Sequence, residues 1–341
     1  MRLTCAPPGQ PETAIRIEVD ARHELGQRPT DGRFTLFDNR VATAHPTAVP
    51  ADGARLGVDG GEAVKSFETL ERVTRALANG EIGRGDALCA IGGGTVGDLG
   101  GMAASLWLRG IAFEQVPTTL LSMVDSSVGG KTAINIEEGK NLVGTFWPAR
   151  TVLIDPGFLT TLSDDEYASG LGEVLKVAIG LDAEMFALCE QHAAAVVARD
   201  PGALATIIER ALRAKIDVVE SDFREAGRRR LLNLGHTLGH ALEAESAYTK
   251  PHGVMVARGI HYVIDLATRR DALADDTASR MRTLLEAYGF ATTPLPDAAR
   301  LRDFLRRDKK RAGDSIHAVL PTGIGASEVV EMGWDEFEQA L

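Results

Sequence analysis

The stretch RRRLLNLGHTLGHALE, residues 228–243, holds the densest set of side chains able to do chemistry. Laid on one α-helix, Arg229, Asn233, His236 and His240 are spaced four, three and four residues apart and share a face. Two imidazoles one turn apart can bind a single metal, or one can bind it while the other moves a proton. Histidines that only cap or hydrogen-bond in a polar groove are the structural alternative. Thr237 follows the first histidine, so the HExxH pattern of a zinc protease is excluded. A third histidine, His252, arrives in KPHGVMV just after Pro251, and SGLGEVLK sets Glu173 and Lys176 on one face of an otherwise apolar helix. Two imidazoles and a carboxylate, completed by water or substrate, form a catalytic zinc site, and non-haem iron uses the same donors.

Two glycine-rich segments raise phosphate binding. VDSSVGGKTAIN, residues 124–135, contains Gly-Lys-Thr, but the glycine that a triphosphate loop needs four places earlier is Asp125, whose charge opposes a phosphate. AIGGGTVGDLGG contains Gly92-x-Gly94-x-x-Gly97 between an expected strand and an expected helix, the setting in which backbone N–H groups and a helix N-terminus receive a pyrophosphate. The motif alone is weak, since a tight strand-to-helix turn needs glycine without any ligand, and it lies deep in the chain for a first βα turn.

These groups must be positioned by a chain of 341 residues, 44% hydrophobic and 25% charged, with a net charge of −11, which argues against nucleic acid or an anionic membrane as partner. Any bound anion must therefore meet a local cluster of cations. Only eight of the 37 basic residues are lysine, so Lys65, Lys131, Lys140, Lys176, Lys215, Lys250, Lys309 and Lys310 become candidates for needing a compact ammonium. Cys5, Cys89 and Cys189 lie far apart without CxxC spacing, which fits a reducing compartment. With no membrane-length apolar run and no signal-peptide core, a cytoplasmic location is expected.

In the first half RFTLFD, DALCAI, FEQVP and TVLID read as strands alternating with helical text such as SFETLERVTRALANG and GGMAASLWL, which predicts a mostly parallel sheet covered on both faces. From Ser163, whose capping box with Glu166 opens a helix, the text is helical to about residue 293. The expected organisation is an α/β domain over 1–160 and a helical domain over 161–341.

With these residues assembled, the chain resembles the 3-dehydroquinate synthases of the sugar phosphate cyclase superfamily from about Glu62 to Val329. The resemblance is carried in order by GEAVKS, GGGTVGDLGG, LRG, VPTTLLSMVDSSVGGKTAIN, GKNLVGTF, SGLGEVLK, LLNLGHTLGHALE and RDKK. It implies an N-terminal nucleotide-binding α/β domain plus an all-α C-terminal domain, as in glycerol dehydrogenases, with the active site in the interdomain cleft. It implies a divalent metal, zinc in the first place with cobalt or another ion as alternatives, on Glu173, His236 and His252. NAD contacts would fall on Glu62, Lys65, Gly93, Gly94, Thr95, Asp98, Thr118, Thr119, Lys140, Phe158 and Thr161. Substrate contacts would fall on Asp125, Lys131, Asn141, Lys176, Lys215, Arg229, Asn233 and the Lys309/Lys310 pair. Arg109 would reach the phosphate across the interface of a homodimer, and Glu225 and His240 would transfer protons, with Lys131 and Lys176 in catalytic contact.

The implied reaction converts 3-deoxy-D-arabino-heptulosonate 7-phosphate into 3-dehydroquinate and phosphate by transient oxidation with NAD, β-elimination, re-reduction and intramolecular aldol closure. The family's usual His-Gly-Glu is His252-Gly253-Val254 here, and FDNRV places Arg40 where the family often has asparagine. Rival expectations are a sister cyclase whose substrate lacks a carboxylate, a metal-dependent polyol dehydrogenase, and a silent binding protein of the same fold. Lys215 and Arg229, at the carboxylate contacts, favour the keto acid.

Overall fold

The structure is a computed structural model that describes residues 1–225, 227–295, 301–302, 304–305 and 315–338. The expected contacts Lys309 and Lys310 lie outside the described residues. The chain divides into two compact units, one formed by Met1–Ser163 with Leu204–Ser221, the other by Asp164–Ala203 with Asp222–Leu341.

The first unit is built on strands β1 (Arg2–Cys5), β2 (Thr13–Ile17), β3 (Arg33–Asp38), β4 (Arg55–Val58), β5 (Ala87–Gly92), β6 (Ala112–Pro117), β7 (Lys131–Ile136), β8 (Gly139–Phe146) and β9 (Thr151–Ile154). Seven of these form one sheet in the order β1-β2-β9-β6-β5-β3-β4, parallel except for β1, while β7 and β8 pair as a separate antiparallel hairpin. Every residue of β5 is buried, as expected of a central parallel strand covered on both faces. Phe34, Leu88, Phe113 and Val152 are buried between the sheet and its covering elements, each contributing roughly 1.5–3 kcal/mol of burial free energy.

Helices α1 (Asn39–Ala44), α2 (Phe67–Asn79) and α3 (Gly94–Leu106) follow β3, β4 and β5. Ser66 caps α2 through the Thr69 N–H and Gly80 ends it, as the sequence predicts. From β3 the chain moves outward to β4 and then returns to place β5 on the other side of β3. The strand order therefore reverses between β3 and β5, the position at which open parallel sheets receive ligands beyond their carboxyl ends.

The second unit contains α4 (Asp164–Gly180), α5 (Ala183–Val197), the start of α6 (Pro201–Ser221), α7 (His236–Glu245), α8 (His252–Arg269), α9 (Asp275–Ala287) and the short α10 (Trp334–Glu338). Helix α4 is buried without a break from Ser169 to Gly180, so it serves as a central helix. One β-hairpin departs from the helical text: β10 (Ser315–Gly323) and β11 (Ala326–Gly333) pair antiparallel. It is anchored on the end of α4, where Ser327 Oγ donates to Gly180 O at 2.7 Å and Gly325 N–H to Ile179 O at 3.0 Å.

The single helix expected through Arg229, Asn233, His236 and His240 is corrected. Residues 228–233 form a 3₁₀ segment, Leu234 is extended, and Gly235 is left-handed at φ 75°, so His236 begins a new helix. The break has a packing reason, because a Cβ on Gly235 would stand 2.7 Å from Val256 O on α8. Arg229 and Asn233 therefore do not share a helix face with the histidines.

Candidate active site

The second unit brings Glu173, His236 and His252 together from α4, α7 and α8. Three glycine contacts make this possible. A Cβ on Gly172 would overlap Gly253 O, one on Gly253 would overlap Ser169 O, and one on Gly239 would lie 3.1 Å from the Val256 Cα. Ser169 Oγ also accepts from Gly253 N at 3.0 Å, which fixes the first turn of α8 on α4.

Within this helix triangle Glu173 Oε1 lies 3.8 Å from His236 Nε2 and 3.5 Å from His252 Nε2. It is buried and has no hydrogen-bond partner, while Oε2 takes the Lys176 ammonium. Donor atoms around a four-coordinate zinc with bonds of about 2.0–2.1 Å stand roughly 3.3 Å apart, so these two distances need only a small contraction to suit such an ion. His240 offers a second candidate triad, since the donor atoms of His236, His240 and His252 all lie within 4.8 Å of one another. The carboxylate set contains the orphaned buried oxygen, which favours Glu173 over the exposed His240 as third donor.

The electrostatics agree. Burial alone would raise the Glu173 pKa, but Lys176 and the two imidazoles hold it well below the usual carboxylate range. Burial pushes His236 down to about 3, which keeps its nitrogen available as a neutral donor. Burial also acts to lower His252, yet the Glu173 and Glu243 carboxylates beside it outweigh that and raise the group to about 10.

Elsewhere in this unit Arg229 is buried, its N–H donating to Asp222 Oδ2 at 3.0 Å and its Nη1 to Phe223 O at 2.5 Å. Asn233 Nδ2 donates to Glu225 Oε1 at 3.4 Å. Glu225 and Asn233 line an open pocket with Arg224, Arg230 and His317. No spacing rule in the sequence links His317, on β10, to that pocket.

In the first unit, Lys65 is buried and its ammonium lies 2.7 Å from Asp98 Oδ2, with Asn141 Oδ1 also accepting from it. Burial raises the Asp98 pKa, and Lys65 opposes that. Asn135, missed in the sequence, ties the cluster together by donating to Glu62 Oε1 at 2.7 Å and accepting from Asn141 N at 2.9 Å. Asn141, expected at the substrate, thus sits with three expected NAD contacts.

Gly93 and Gly94 start α3 at the end of β5, against Thr118 and Thr119 at the end of β6: Thr118 N–H bonds Gly92 O at 2.9 Å, and a Cβ on Gly93 would meet Thr119 Cγ2 at 2.9 Å. Thr95 follows in the first turn of α3. Phe158 and Thr161 lie on the segment Pro156–Thr161 after β9, where His45 stacks edge-on with Phe158 and bonds Thr161 Oγ1 at 2.7 Å. Arg40, at the departure noted above, folds back onto Asp38, with Nη2 2.8 Å from Oδ2.

Lys215 on α6 is buried and binds both the carboxylate and the carbonyl of Asp125. Lys131 opens β7 and is exposed, as is Lys140 in the β7–β8 hairpin. A strand, not a helix, follows Gly129 and Gly130, which removes the triphosphate-loop geometry. Arg109 is exposed on a turn in which Leu108, Arg109 and Gly110 all have positive φ, beside exposed Leu106.

The model of the 3-dehydroquinate synthase N-terminal domain matches residues 55–169 and that of the C-terminal domain residues 170–311. The chain belongs to the 3-dehydroquinate synthase family. Among curated members, the 3-dehydroquinate synthase of Geobacter metallireducens is 45% identical over 281 residues, covering 82% of this chain and 78% of its own. That of Rhodospirillum rubrum is 43% identical over 310 residues, covering 86% and 80%. Among solved structures, the 2-epi-5-epi-valiolone synthase of Streptomyces hygroscopicus, determined with NAD+ and Zn2+ bound, is 29% identical with a TM-score of 0.84, covering 100% of this chain and 98% of its own. A protein of Sinorhizobium meliloti described as a probable glycerol dehydrogenase, at 16% identity and a TM-score of 0.63 over 98% of this chain and 97% of its own, shares the fold. This member of the family has a helical unit in which two imidazoles converge on one buried carboxylate and an α/β unit with a glycine-lined sheet end. Among the described residues no helix is long and apolar enough to cross a membrane.

Proposed function

We propose that the chain is a 3-dehydroquinate synthase that converts 3-deoxy-D-arabino-heptulosonate 7-phosphate into 3-dehydroquinate and phosphate, a lyase acting with NAD+ and a divalent metal. The observation that carries the reading is the meeting of His236 and His252 Nε2 at the orphaned Glu173 oxygen, with the Lys176 amine on the other oxygen of that carboxylate. When bound, NAD+ supplies reversible hydride acceptance and the metal supplies Lewis acidity toward the hydroxyl being oxidised.

This chain's residues do the rest. Glu173, His236 and His252 would hold the metal, and the nitrogen-rich donor set suits zinc, with cobalt also fitting. His240, exposed beside them, would take and return the proton of the reacting hydroxyl. Lys131, Lys215, Arg229 and Asn233 would hold the anionic ends of the substrate, and Asp125 its hydroxyls. Lys215 and Asp125 pair with each other, which keeps the buried ammonium compensated. Glu62, Lys65, Asp98, Thr118, Thr119, Phe158 and Thr161, with Gly93 and Gly94, would form the NAD site beyond the sheet's carboxyl end. Exposed Leu106 and Leu108 around Arg109 support a homodimer in which that arginine serves a partner's phosphate.

The test is phosphate release. With NAD+, zinc and the heptulosonate phosphate, the protein should liberate phosphate without net NADH. No release with this acid, combined with turnover of sedoheptulose 7-phosphate, would assign the chain to a sister cyclase, and steady NADH accumulation to a dehydrogenase.

A further inference from the structure

His252 has a second carboxylate that the reaction does not use. Glu243, on α7, is 8% exposed, and its Oε2 lies 3.0 Å from His252 Nδ1. A carboxylate that deeply placed is costly unless paired, and the imidazole of a neighbouring helix is what it meets. Glu243 follows His240 by three residues and His236 by seven, so α7 presents all three toward the start of α8.

The two donor histidines have the same arrangement. His236 turns Nδ1 toward Leu234 O at 3.2 Å and Nε2 toward Glu173 Oε1, and His252 turns Nδ1 toward Glu243 and Nε2 toward the same Glu173 oxygen. In each ring Nδ1 faces an acceptor outside the donor set, so a neutral ring with its hydrogen on Nδ1 presents the Nε2 lone pair on the side where a cation would sit. His236 takes its acceptor from the backbone, whereas His252 opens its helix after Pro251 and takes it from a side chain. Val254, where the family usually has glutamate, carries no side-chain acceptor and cannot replace it.

We propose that Glu243 is the positioning residue for His252, fixing its tautomer and ring orientation so that Nε2 faces a divalent cation held with Glu173 and His236. The inference rests on the reading of those three residues as the metal-holding set. Its chemistry is an acceptor that orients the ring and increases the donor strength of the nitrogen opposite.

The experiment measures zinc affinity of the full chain against a competing chelator for wild type, Glu243→Gln, Glu243→Ala, Glu243→Asp and His236→Ala, with the thermal midpoint of each metal-free protein. Glu243→Gln should weaken zinc binding roughly 10- to 100-fold while leaving the metal-free midpoint near wild type. Glu243→Ala should lose at least as much, and Glu243→Asp should recover part of it. The visible bands of the Co2+-loaded protein should shift in Glu243→Gln. Wild-type affinity in both the Gln and Ala variants would overturn the proposal, as would affinity losses that follow the metal-free midpoint variant by variant. Zinc binding that is absent in wild type, or unchanged in His236→Ala, would overturn the metal assignment itself and this inference with it.

Discussion

Gly172 of α4 and Gly253 of α8 meet backbone to backbone, with no room for a side chain on either: a Cβ on Gly172 would overlap the carbonyl oxygen of Gly253. The contact lies one residue from Glu173 and one from His252, so the spacing of that carboxylate and that imidazole depends on the absence of two methyl groups. Gly172→Ala should cost about 1–3 kcal/mol of stability through overpacking and reduce zinc retention, because the helices must separate where the donors sit. Urea unfolding and the metal content of the purified variant would check this; a variant of native stability and full zinc content would refute it.

The two candidate triads share His236 and His252 and differ in Glu173 or His240. His236→Ala should therefore lose its metal. His240→Ala should retain zinc and lose activity by about 10²–10⁴-fold, the usual contribution of a proton-transferring group. Metal analysis beside phosphate-release kinetics separates the two, and loss of zinc from His240→Ala would move the third ligand from Glu173 to His240.

Lys65 neutralises Asp98 in a cluster that also contains Asn141 and Glu62. Lys65→Met should destabilise the protein by about 1 kcal/mol, the low end of the cost of leaving an acceptor unpaired because Asp98 is only half-buried, and weaken NAD+ binding at least tenfold. Chemical denaturation and calorimetric titration with NAD+ measure the two effects, and unchanged NAD+ affinity would remove Lys65 from the cofactor site.

His261 on α8 is buried, with Nε2 2.7 Å from Phe290 O and Nδ1 3.2 Å from Thr292 Oγ1, an arrangement suited to the neutral ring. Burial lowers its pKa below the ordinary 6.5, and Arg282 adds to that against Asp265 and Glu286. The unfolded chain then binds the proton more readily than the folded one. The neutral ring's contribution is complete above about pH 6.5 and is lost as pH falls toward the depressed folded value. Between pH 6.5 and 5 the urea midpoint of wild type should fall more steeply than that of His261→Gln, and parallel curves would contradict this.

Much of this protein is legible in the order of its residues. Periodicity marks β3, β5, β6 and β9 and the capped helix α2, because the period of a strand or helix is a local property of the chain. The identities of Glu173, His236 and His252 also stand out, since few chemistries use two imidazoles and a carboxylate in apolar text. Glu243 was within reach of the same rule, three residues beyond His240 on a helix.

Only the tertiary structure decides how those residues meet. The helical period runs unbroken through NLGHTLGH, yet Gly235 turns left-handed because α8 lies too close for a straight helix, and this separates Arg229 and Asn233 from the histidine face. Asn135, His45 and His317 join their clusters across 73, 116 and about 90 residues of chain, distances over which no spacing rule acts. Donor types are written in the sequence because ligand chemistry belongs to single side chains. Their convergence on one buried oxygen belongs to helix packing, which here is set by glycines facing glycines and backbone on neighbouring helices.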